Sequence, residues 1–483
     1  MATTKLLLRR PKIHHLLRHR ETATVASVTA TASPLPSPPP PPAFDLDLTN
    51  PEKLFSSLPT SKLLRATMNL HMASVEPLVD FGTWVINATL AGGENAKGLV
   101  RGAVRGLIRH TVFEHFCGGE DATEAMQSVG RLNRVGLRGM VDFAAEFAAD
   151  NATCDYNFGR FLETINSSMS LPPSYVSSVV VKITAICPLS LLERMSDLLR
   201  WQQRDPSFNL SWKDATLPIF ADLSPLYHTL DRPESLTSQD EQDLRLAEQR
   251  LWTLCEKCVE ANVPLVVDAE HTQVQPAIDY LTNSAAIRYN KGDRVIVYNT
   301  IQTYLKDAEE RLLLATKAAE KMGVPMGYKV VRGAYMSSER KLASKLGFES
   351  PIHDSIHETH ACYNKCASFL LEKIGVGKGA AILATHNVES GRLAANKAAE
   401  LGIGKGNTNL EFAQLYGMAD TLSLGLRNAG FQVSKYMPYG PVEKVIPYLL
   451  RRAEENRGLL SSSSLDRELM RKELKRRAIA AIF

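Results

Sequence analysis

Apolar and polar positions follow two different periodicities along this chain, and they predict alternating helices and strands. Residues 61–86 and 95–116 carry amphipathic helical patterns. Beyond residue 130, short β-branched or apolar runs alternate with helical stretches. The strand candidates are 140–147, 176–187, 263–271, 295–304, 327–336, 380–387, 409–417 and 431–438. Strands separated by helices favour an α/β fold, either a closed (β/α)8 barrel or an open doubly wound sheet.

Polar side chains stand at or near the carboxyl ends of most strand candidates. They are Lys182, Asp268, Gln302, Arg332, His386, Gln414 and Tyr436. Barrels and open α/β sheets both gather functional groups at this end. Eight strand and helix units favour closure into a barrel, so we expect these side chains to meet at one barrel mouth. Asp268 would need a partner or a ligand if it is buried.

A helix is predicted after the last strand, from residue 442 to residue 453. Its apolar positions recur at helical spacing, and Arg451 and Arg452 stand side by side near its end. Successive helical residues point about 100° apart, so two guanidiniums can hold one anion from different directions. Tyr448 and Glu455 lie one turn away and can flank or orient the two arginines. The alternative is a solvated helix end with weak Glu–Arg pairs.

The first 44 residues differ from the remainder in composition. They contain six basic residues and one acidic residue, followed by a Ser/Thr-rich stretch and five consecutive prolines at 38–42. This pattern predicts an organelle transit peptide, mitochondrial before chloroplast, with a stiff proline-rich linker. A disordered basic arm is the alternative. We therefore divide the chain into 1–44, a helical region 45–130, a barrel 131–460 and a basic C-terminal helix 461–483, which could lie on an anionic membrane or in solvent.

Charge and motifs exclude several function classes. Without its first 44 residues, the chain has 50 basic and 51 acidic residues, which gives no reason to expect a nucleic-acid partner. No dinucleotide-binding turn follows a first strand, and no P-loop or HExxH motif occurs, so no metal site is predicted. The seven cysteines fit packed, reduced thiols better than disulfides or a zinc site. What remains is a barrel enzyme that acts on a small carboxylate.

Seven sequence words together resemble the FAD-dependent proline dehydrogenase (proline oxidase) family, in particular its plant mitochondrial form. They are VKITA at 181–185, VVDAE at 266–270, YNTIQTY at 298–304, KVVRGAY at 329–335, ATHN at 384–387, EFAQLYGM at 411–418 and YMPYGPVEKVIPYLLRRAEEN at 436–456. The last word is the most specific. The similarity covers about residues 135–457, so the segment 189–240 within it and both ends stay unassigned.

The resemblance implies a fold, an activity and a location. The fold is a distorted (β/α)8 barrel, here with helices before it and a terminal helix that carries the arginine pair. The family oxidises L-proline to Δ1-pyrroline-5-carboxylate with FAD, the first step of proline catabolism to glutamate. It passes the electrons to membrane quinone. We therefore expect a mitochondrial flavoprotein, peripherally associated with the matrix side of the inner membrane.

The resemblance also implies substrate-binding residues. Lys182, Arg451 and Arg452 would bind the substrate carboxylate, and Asp268 would order these cations. Tyr436 and Tyr448 would pack on the proline ring with Leu415 nearby. Family members that act on hydroxyproline have a smaller residue in place of Tyr436, so Tyr436 would exclude a ring hydroxyl. The implied catalytic set is Lys182, Asp268, Tyr436, Arg451 and Arg452.

Cofactor-binding residues follow from the same resemblance. The implied FAD-binding set is Gln302, Lys329, Val331, Arg332, Gly333, Ala334, Thr359, Thr385, His386, Asn387, Gln414, Arg452 and Glu455. Gly333 would let the backbone approach the cofactor, and Tyr335 would wall the site. Lys329 departs from the family pattern, because bacterial members commonly have arginine there, and lysine lacks the planar fork. Two alternatives stay open, namely a hydroxyproline or other cyclic-amine dehydrogenase and a non-catalytic binding barrel.

Overall fold

A computed structural model describes residues 46–72, 98–446, 448–450 and 460–482, and also residues 74, 75, 77, 80 and 84. Residues 43–483 form one compact unit. The predicted transit peptide lies outside the described residues. The same holds for Arg451, Arg452 and Glu455. Their roles therefore stay predictions.

Eight parallel strands close into a barrel in the order of the sequence. They are β1 (Arg138–Phe143), β2 (Val176–Val181), β3 (Leu265–Val267), β4 (Val297–Gln302), β5 (Gly327–Val331), β6 (Ala380–Ala384), β7 (Leu410–Leu415) and β8 (Gln432–Tyr439). The last strand pairs with the first in register from Arg138↔Ser434 to Phe143↔Tyr439. The predicted (β/α)8 barrel is confirmed, and the open doubly wound sheet is wrong.

Helices precede the barrel, link its strands and follow it. They are α1 (Pro51–Phe55), α2 (Thr60–Met72), α3 (Gly98–Ile108), α4 (Glu114–Phe116), α5 (Ala122–Asn133), α6 (Asn151–Ser168), α7 (Ile183–Ile186), α8 (Leu189–Arg204), α9 (Ser238–Ala261), α10 (Gln275–Tyr289), α11 (Ala308–Lys321), α12 (Met336–Leu346), α13 (Ile356–Gly375), α14 (Val388–Glu400), α15 (Asp420–Asn428) and α16 (Leu460–Ala480). A π-helical turn at Arg109–Phe113 joins α3 to α4, and Leu226–His228 form a 3-10 turn. Residues 442–446 and 448–450 are helical too.

The barrel interior is packed with side chains. Strand β2 is buried at all of its positions, as expected for a parallel strand covered on both faces. Met140, Val180, Val266 and Ile382 come from different strands and form one cluster with their neighbours inside the barrel. The barrel therefore holds no pore, and any ligand must bind above this layer, at the carboxyl ends of the strands.

Seven of the eight strands end earlier than the sequence predicts, whereas β8 ends one residue later, at Tyr439. Strand β2 stops at Val181, and residues Ile183–Ile186 turn into a short helix for which Lys182 is the N-cap. Strand β3 contains only Leu265–Val267. Residues just past these ends belong to turns at the barrel mouth, which places Lys182 and Asp268 at its rim.

The segment 189–240 is not a single insertion. Its first part, Leu189–Arg204, is the amphipathic helix α8 that follows the second strand, with Leu192 and Leu199 buried. The long connection lies between Arg204 and the capping box of α9 at Thr237 and Asp240. His228 of this connection contacts the Thr272 hydroxyl at 2.9 Å, so the segment packs beside the loop after β3.

The C-terminal helix is attached to both the barrel and the N-terminal helices. The carboxylate of Asp466 accepts hydrogen bonds from the backbone N–H groups of Asp420 and Thr421 at 3.1 and 3.0 Å, and so caps the first turn of α15. Arg477 donates to the carbonyl of Leu58 and to the hydroxyl of Thr60. Helix α16 thus contacts both α15 of the barrel and the start of α2.

Candidate active site

Five charged or phenolic side chains meet at the mouth of the barrel. Lys182 follows β2, Asp268 follows β3, Tyr436 lies on β8, and Asp142 lies on β1. The ammonium of Lys182 is 3.1 Å from the Asp142 carboxylate, 3.7 Å from the Asp268 carboxylate and 3.5 Å from the Tyr436 hydroxyl. Lys329 of β5 pairs with the other oxygen of Asp268. We call Asp142, Lys182, Asp268, Lys329 and Tyr436 the mouth cluster.

The Tyr436 hydroxyl lies between two carboxyl groups of the mouth cluster. Its oxygen lies 2.7 Å from Oδ2 of Asp142 and 2.9 Å from Oδ2 of Asp268. A phenol carries a single proton and can donate to only one carboxylate at a time. Burial raises the pKa of Asp142, and Lys182 opposes this shift. The hydroxyl thus fixes the Tyr436 ring between β1 and the end of β3.

Two cations of the mouth cluster are positioned to attract an anionic ligand. Burial would raise the pKa of Asp268, but Lys329 and Lys182 outweigh it, so the pKa is lowered and Asp268 stays ionised. Burial would lower the pKa of Lys182, but the two aspartates outweigh it and raise that pKa, so Lys182 stays charged. The ammonium groups of Lys182 and Lys329 both lie beside Asp268 at the barrel mouth, and such cations can bind a substrate carboxylate.

Glu270 stands two residues after Asp268 and is fully buried. Its carboxylate accepts hydrogen bonds from the hydroxyl and the backbone N–H of Thr184 at 2.7 and 3.3 Å. The carbonyl of Glu270 accepts a hydrogen bond from the side-chain amide of Gln302 at 2.8 Å, which fixes that amide at the end of β4. Burial raises the pKa of Glu270 to about 7, although the Thr184 hydrogen bond opposes the shift.

Glu270 should make the stability of the folded chain depend on pH. Its folded-state pKa of about 7 lies above the ordinary value of a glutamate, so its contribution is fully present below about pH 4 and is lost as pH rises through about 7. As pH rises, the free energy of unfolding should fall less in Glu270→Gln than in the wild type, by up to about 3 kcal/mol. Denaturant titrations of both proteins across this range measure the effect, and parallel stability curves would contradict it.

An apolar wall stands beside the mouth cluster. Tyr436 and Leu415 pack against a buried group that includes Val445, Tyr448 and Leu449 of the helical segment after β8. The Lys329 ammonium lies 5.3 Å from the centre of the Tyr436 ring. Tyr436, Leu415 and Tyr448 thus belong to one apolar group, and the Tyr436 hydroxyl lies 3.5 Å from the Lys182 ammonium.

A second polar network surrounds Arg332, immediately after β5. Its guanidinium donates to the Thr385 hydroxyl at 2.7 Å, the Ser390 hydroxyl at 2.8 Å and the His360 ring at 3.0 Å. It also lies over the Tyr363 ring at 4.3 Å. Among the described residues no carboxylate pairs with Arg332. Burial lowers its pKa, so a partly buried cation without an acidic partner marks an anion site.

Other predicted cofactor residues gather around this cation. Asn387 caps α14 by accepting from the backbone N–H of Ser390, and its amide lies 3.3 Å from His360. Nε2 of His386 accepts a hydrogen bond from the backbone N–H of Leu415 at 3.0 Å, which ties the ends of β6 and β7 together. The buried Thr359 precedes His360 on α13. These contacts connect the strand ends from β5 to β7.

Two further positions have local constraints. Gly333 has a φ of +133°, and a Cβ atom there would come within 2.5 Å of the Tyr304 ring, so glycine is required by its protein neighbours. Gln414 receives a hydrogen bond from Ser423 at 2.8 Å on its oxygen. Its buried amide nitrogen has no partner among the described residues. Val331 and Ala334 flank Arg332 and Gly333 on the same turn.

Sequence reasoning did not identify several residues of the site. Asp142 was covered by a strand predicted to run to residue 147, although an isolated acid within an apolar run was a usable signal. His360 and Ser390 lie near the N-terminal ends of α13 and α14, and the packing of these helices against the strand ends brings them to Arg332. Glu270 is the last residue of the sequence word VVDAE, but sequence reasoning assigned no role to it.

Residues 125–465 match the family described as proline dehydrogenase. The chain is 56% identical over 440 residues to "Proline dehydrogenase 1, mitochondrial" of Arabidopsis thaliana, which covers 90% of this chain and 87% of that protein. It is 33% identical over 448 residues to human "Hydroxyproline dehydrogenase", covering 87% of this chain and 91% of that protein. The family predicted from the sequence words is confirmed.

A solved structure has a similar fold. It is proline utilization A (PutA) from Bdellovibrio bacteriovorus inactivated by N-propargylglycine, with a TM-score of 0.62 and 20% identity. The similarity covers 85% of this chain but only 43% of that PutA chain, so this chain spans less than half of its length. The fold, the mouth of polar strand ends and the family match lead to one assignment: this chain belongs to the proline dehydrogenase family.

Proposed function

We propose that this chain oxidises L-proline to Δ1-pyrroline-5-carboxylate with FAD as the hydride acceptor. The observation that carries the proposal is the pairing of two sites at one barrel mouth. The mouth cluster offers the ammonium groups of Lys182 and Lys329 beside an apolar wall, which suits a small ring with a carboxylate. The Arg332 network offers a cation whose described partners are all neutral, which suits the phosphates of a dinucleotide.

The residues present fit FAD in two respects. Arg332 has neutral partners only among the described residues, so a phosphate would supply its missing counter-charge. The orphaned amide nitrogen of Gln414 is buried at the end of β7 and would find an acceptor on the flavin ring. Gln302, Lys329, Val331, Ala334, Thr359, Thr385, His386 and Asn387 are the other described residues that we assign to the cofactor.

The chemistry divides between the cofactor and the side chains. A bound FAD would supply the acceptor for a hydride from the ring carbon next to the substrate nitrogen. Lys182 binds the substrate carboxylate, and Asp268, held between Lys182 and Lys329, fixes the direction of the ammonium. Tyr436, Leu415 and Tyr448 exclude water from the ring and hold it in a reactive orientation.

Arg451 and Arg452 complete the carboxylate site in this proposal, and Glu455 orients them. They follow the helical residues 448–450, whose Tyr448 and Leu449 are buried against the apolar wall. The described residues that precede the arginine pair in the sequence therefore pack beside Tyr436 and Leu415. Two more guanidiniums would hold the carboxylate by bidentate hydrogen bonds.

We propose that the reaction takes place in mitochondria and that membrane quinone accepts the electrons. The mitochondrial assignment rests on the basic, acid-poor first 44 residues and on the mitochondrial name of the Arabidopsis relative. The matrix side of the inner membrane would give the enzyme access to both proline and quinone. Among the described residues, no helix is both long and apolar enough to span a bilayer.

Tyr436 should select proline over hydroxyproline. Its ring is held by Asp142, Asp268 and Lys329 and cannot move away from a ring hydroxyl without breaking these contacts. We expect Tyr436→Ser to raise the ratio of kcat/KM for hydroxyproline to kcat/KM for proline about tenfold, because specificity from one steric contact amounts to about 1–3 kcal/mol.

Tyr436→Phe is the matched control for this experiment. It removes the hydroxyl but keeps the ring, so the substrate preference should stay with proline even if activity falls. The proposal of steric selection fails if Tyr436→Ser leaves the ratio unchanged. A wild-type enzyme that prefers hydroxyproline would instead select the alternative activity, which the human relative at 33% identity carries in its name.

A further inference from the structure

An apolar stripe runs along the exposed face of helix α2. Leu64, Met68 and Met72 recur at every fourth residue and are 52, 54 and 38% exposed. Residues four apart lie on the same helical face, so these side chains are neighbours. The opposite face buries Leu63 and Leu70, so α2 is fixed on the protein by one face and presents the other outward.

Apolar surface continues beyond the C-terminal end of α2. Leu107 of α3 is 66% exposed, and one turn later the Thr111 carbonyl accepts a hydrogen bond from Asn69 of α2. We call Leu64, Met68, Met72 and Leu107 the α2 surface.

Basic side chains border the α2 surface. Arg471 of α16 lies 3.2 Å from the ring of His71, and Lys475 follows one turn later with an exposed side chain. On the other border, Arg65 is 58% exposed and pairs with Glu114. Two acidic groups also lie at the border, namely Glu114 and Glu468, which pairs with Lys472. The four cations Arg65, Arg471, Lys472 and Lys475 outnumber them, so the rim is cationic.

The charge of the rim decides which occupant fits. In a symmetric dimer the α2 surface would face its own copy, and the basic rims of two copies would be brought together. An anionic bilayer has the complementary pattern, with negative headgroups for the rim and an acyl layer for the Leu and Met side chains. Helix α16 contributes mainly cations to the rim of the α2 surface, because its apolar residues Leu469 and Met470 are buried against the protein.

We propose that the α2 surface docks this protein on an anionic phospholipid bilayer. The apolar side chains enter the acyl boundary and the rim cations contact the headgroups. In this orientation the enzyme lies against the layer that holds membrane quinone. That last consequence rests on the function proposed above, whereas the docking itself does not.

Vesicle flotation tests the proposal with residues 43–483, the compact unit. The probes are vesicles of phosphatidylcholine mixed with phosphatidylglycerol and vesicles of phosphatidylcholine alone. We expect the triple variant Leu64→Ser, Met68→Ser, Met72→Ser to lower partitioning into the mixed vesicles about thirtyfold, since each half-exposed side chain contributes part of a full apolar burial. We expect Lys475→Gln to lower it about fivefold.

Matched controls lie elsewhere on the surface. The triple variant Met322→Ser, Leu346→Ser, Val376→Ser changes side chains that are 47, 39 and 69% exposed, and Lys378→Gln changes one that is 61% exposed. Both controls should partition like the wild type. Proline oxidation with a water-soluble dye as acceptor should stay unchanged in all variants, so a failure of the proposed activity is visible separately from a failure of docking.

Two results would overturn the docking proposal. The first is equal partitioning of the α2 variant, the wild type and the controls, or no binding of the wild type to mixed vesicles. The second is a wild-type dimer in analytical ultracentrifugation that the α2 substitutions dissociate, because the α2 surface would then belong to a second copy of the chain.

Discussion

Lys182→Met should lower kcat/KM for proline about 1,000-fold, which corresponds to about 4 kcal/mol. A charge-assisted hydrogen bond to the substrate carboxylate contributes about 1.5–3 kcal/mol. The remainder comes from Asp142 and Asp268, which lie 3.1 and 3.7 Å from the ammonium. Without Lys182 these carboxyl groups would face the incoming carboxylate with less compensation. Steady-state kinetics on the flavin-loaded variant measures the loss.

A double variant separates binding from folding in this experiment. Removing Lys182 alone leaves the buried Asp142 without its cation, and breaking a buried pair in this way costs about 3–5 kcal/mol of stability. Lys182→Met with Asp142→Asn removes that uncompensated charge, so stability should recover while kcat/KM for proline stays low. Recovery of both would mean that Lys182 has a structural role rather than a substrate-binding one.

Arg332→Met should weaken FAD binding about 100-fold, which corresponds to the loss of one charged hydrogen-bonding group at about 1.5–3 kcal/mol. The guanidinium is held by Thr385, Ser390 and His360. This arrangement organises the cation for an anionic ligand before the ligand arrives. The dissociation constant, from titration of apoprotein with FAD, gives the effect directly.

Two further variants, one conservative substitution and one control, test this prediction. Arg332→Lys keeps the charge but loses the planar fork and the contact with the Tyr363 ring, so FAD affinity should be intermediate. Arg288→Met removes another guanidinium that lies over an aromatic ring, 4.7 Å from the centre of Trp252, but it sits on α10 away from the strand ends. FAD affinity equal to wild type in Arg332→Met would disprove the phosphate assignment.

The barrel was predictable because its strands are buried on both faces and therefore read as apolar runs between helical patterns. The strand ends were not predictable to the residue. The run from Val176 to Cys187 is apolar or β-branched at most positions, yet the chain turns after Val181 into a short helix. Periodicity reports burial on a face, whereas the end of a strand depends on the neighbouring strands at the rim.

Much of the site followed from the rule that parallel strands carry function at their carboxyl ends. Lys182 and Asp268 fall there, and the structure places them 3.7 Å apart. The rule missed Asp142 because the first strand was predicted to run to residue 147, so Asp142 was not recognised as lying near a strand end. The rule also missed His360 and Ser390, because they lie on helices and meet Arg332 only in the folded chain. Such contacts join residues 28 and 58 positions apart, which local patterns do not encode.

Anaerobic reduction of the bound flavin by L-proline tests the central claim most directly. Purified protein should be yellow, and its flavin absorbance should fall within one turnover of added proline in the absence of oxygen. Hydroxyproline at the same concentration should reduce it far more slowly. A protein that takes up no FAD on reconstitution, or whose bound flavin stays oxidised with proline, would contradict the account.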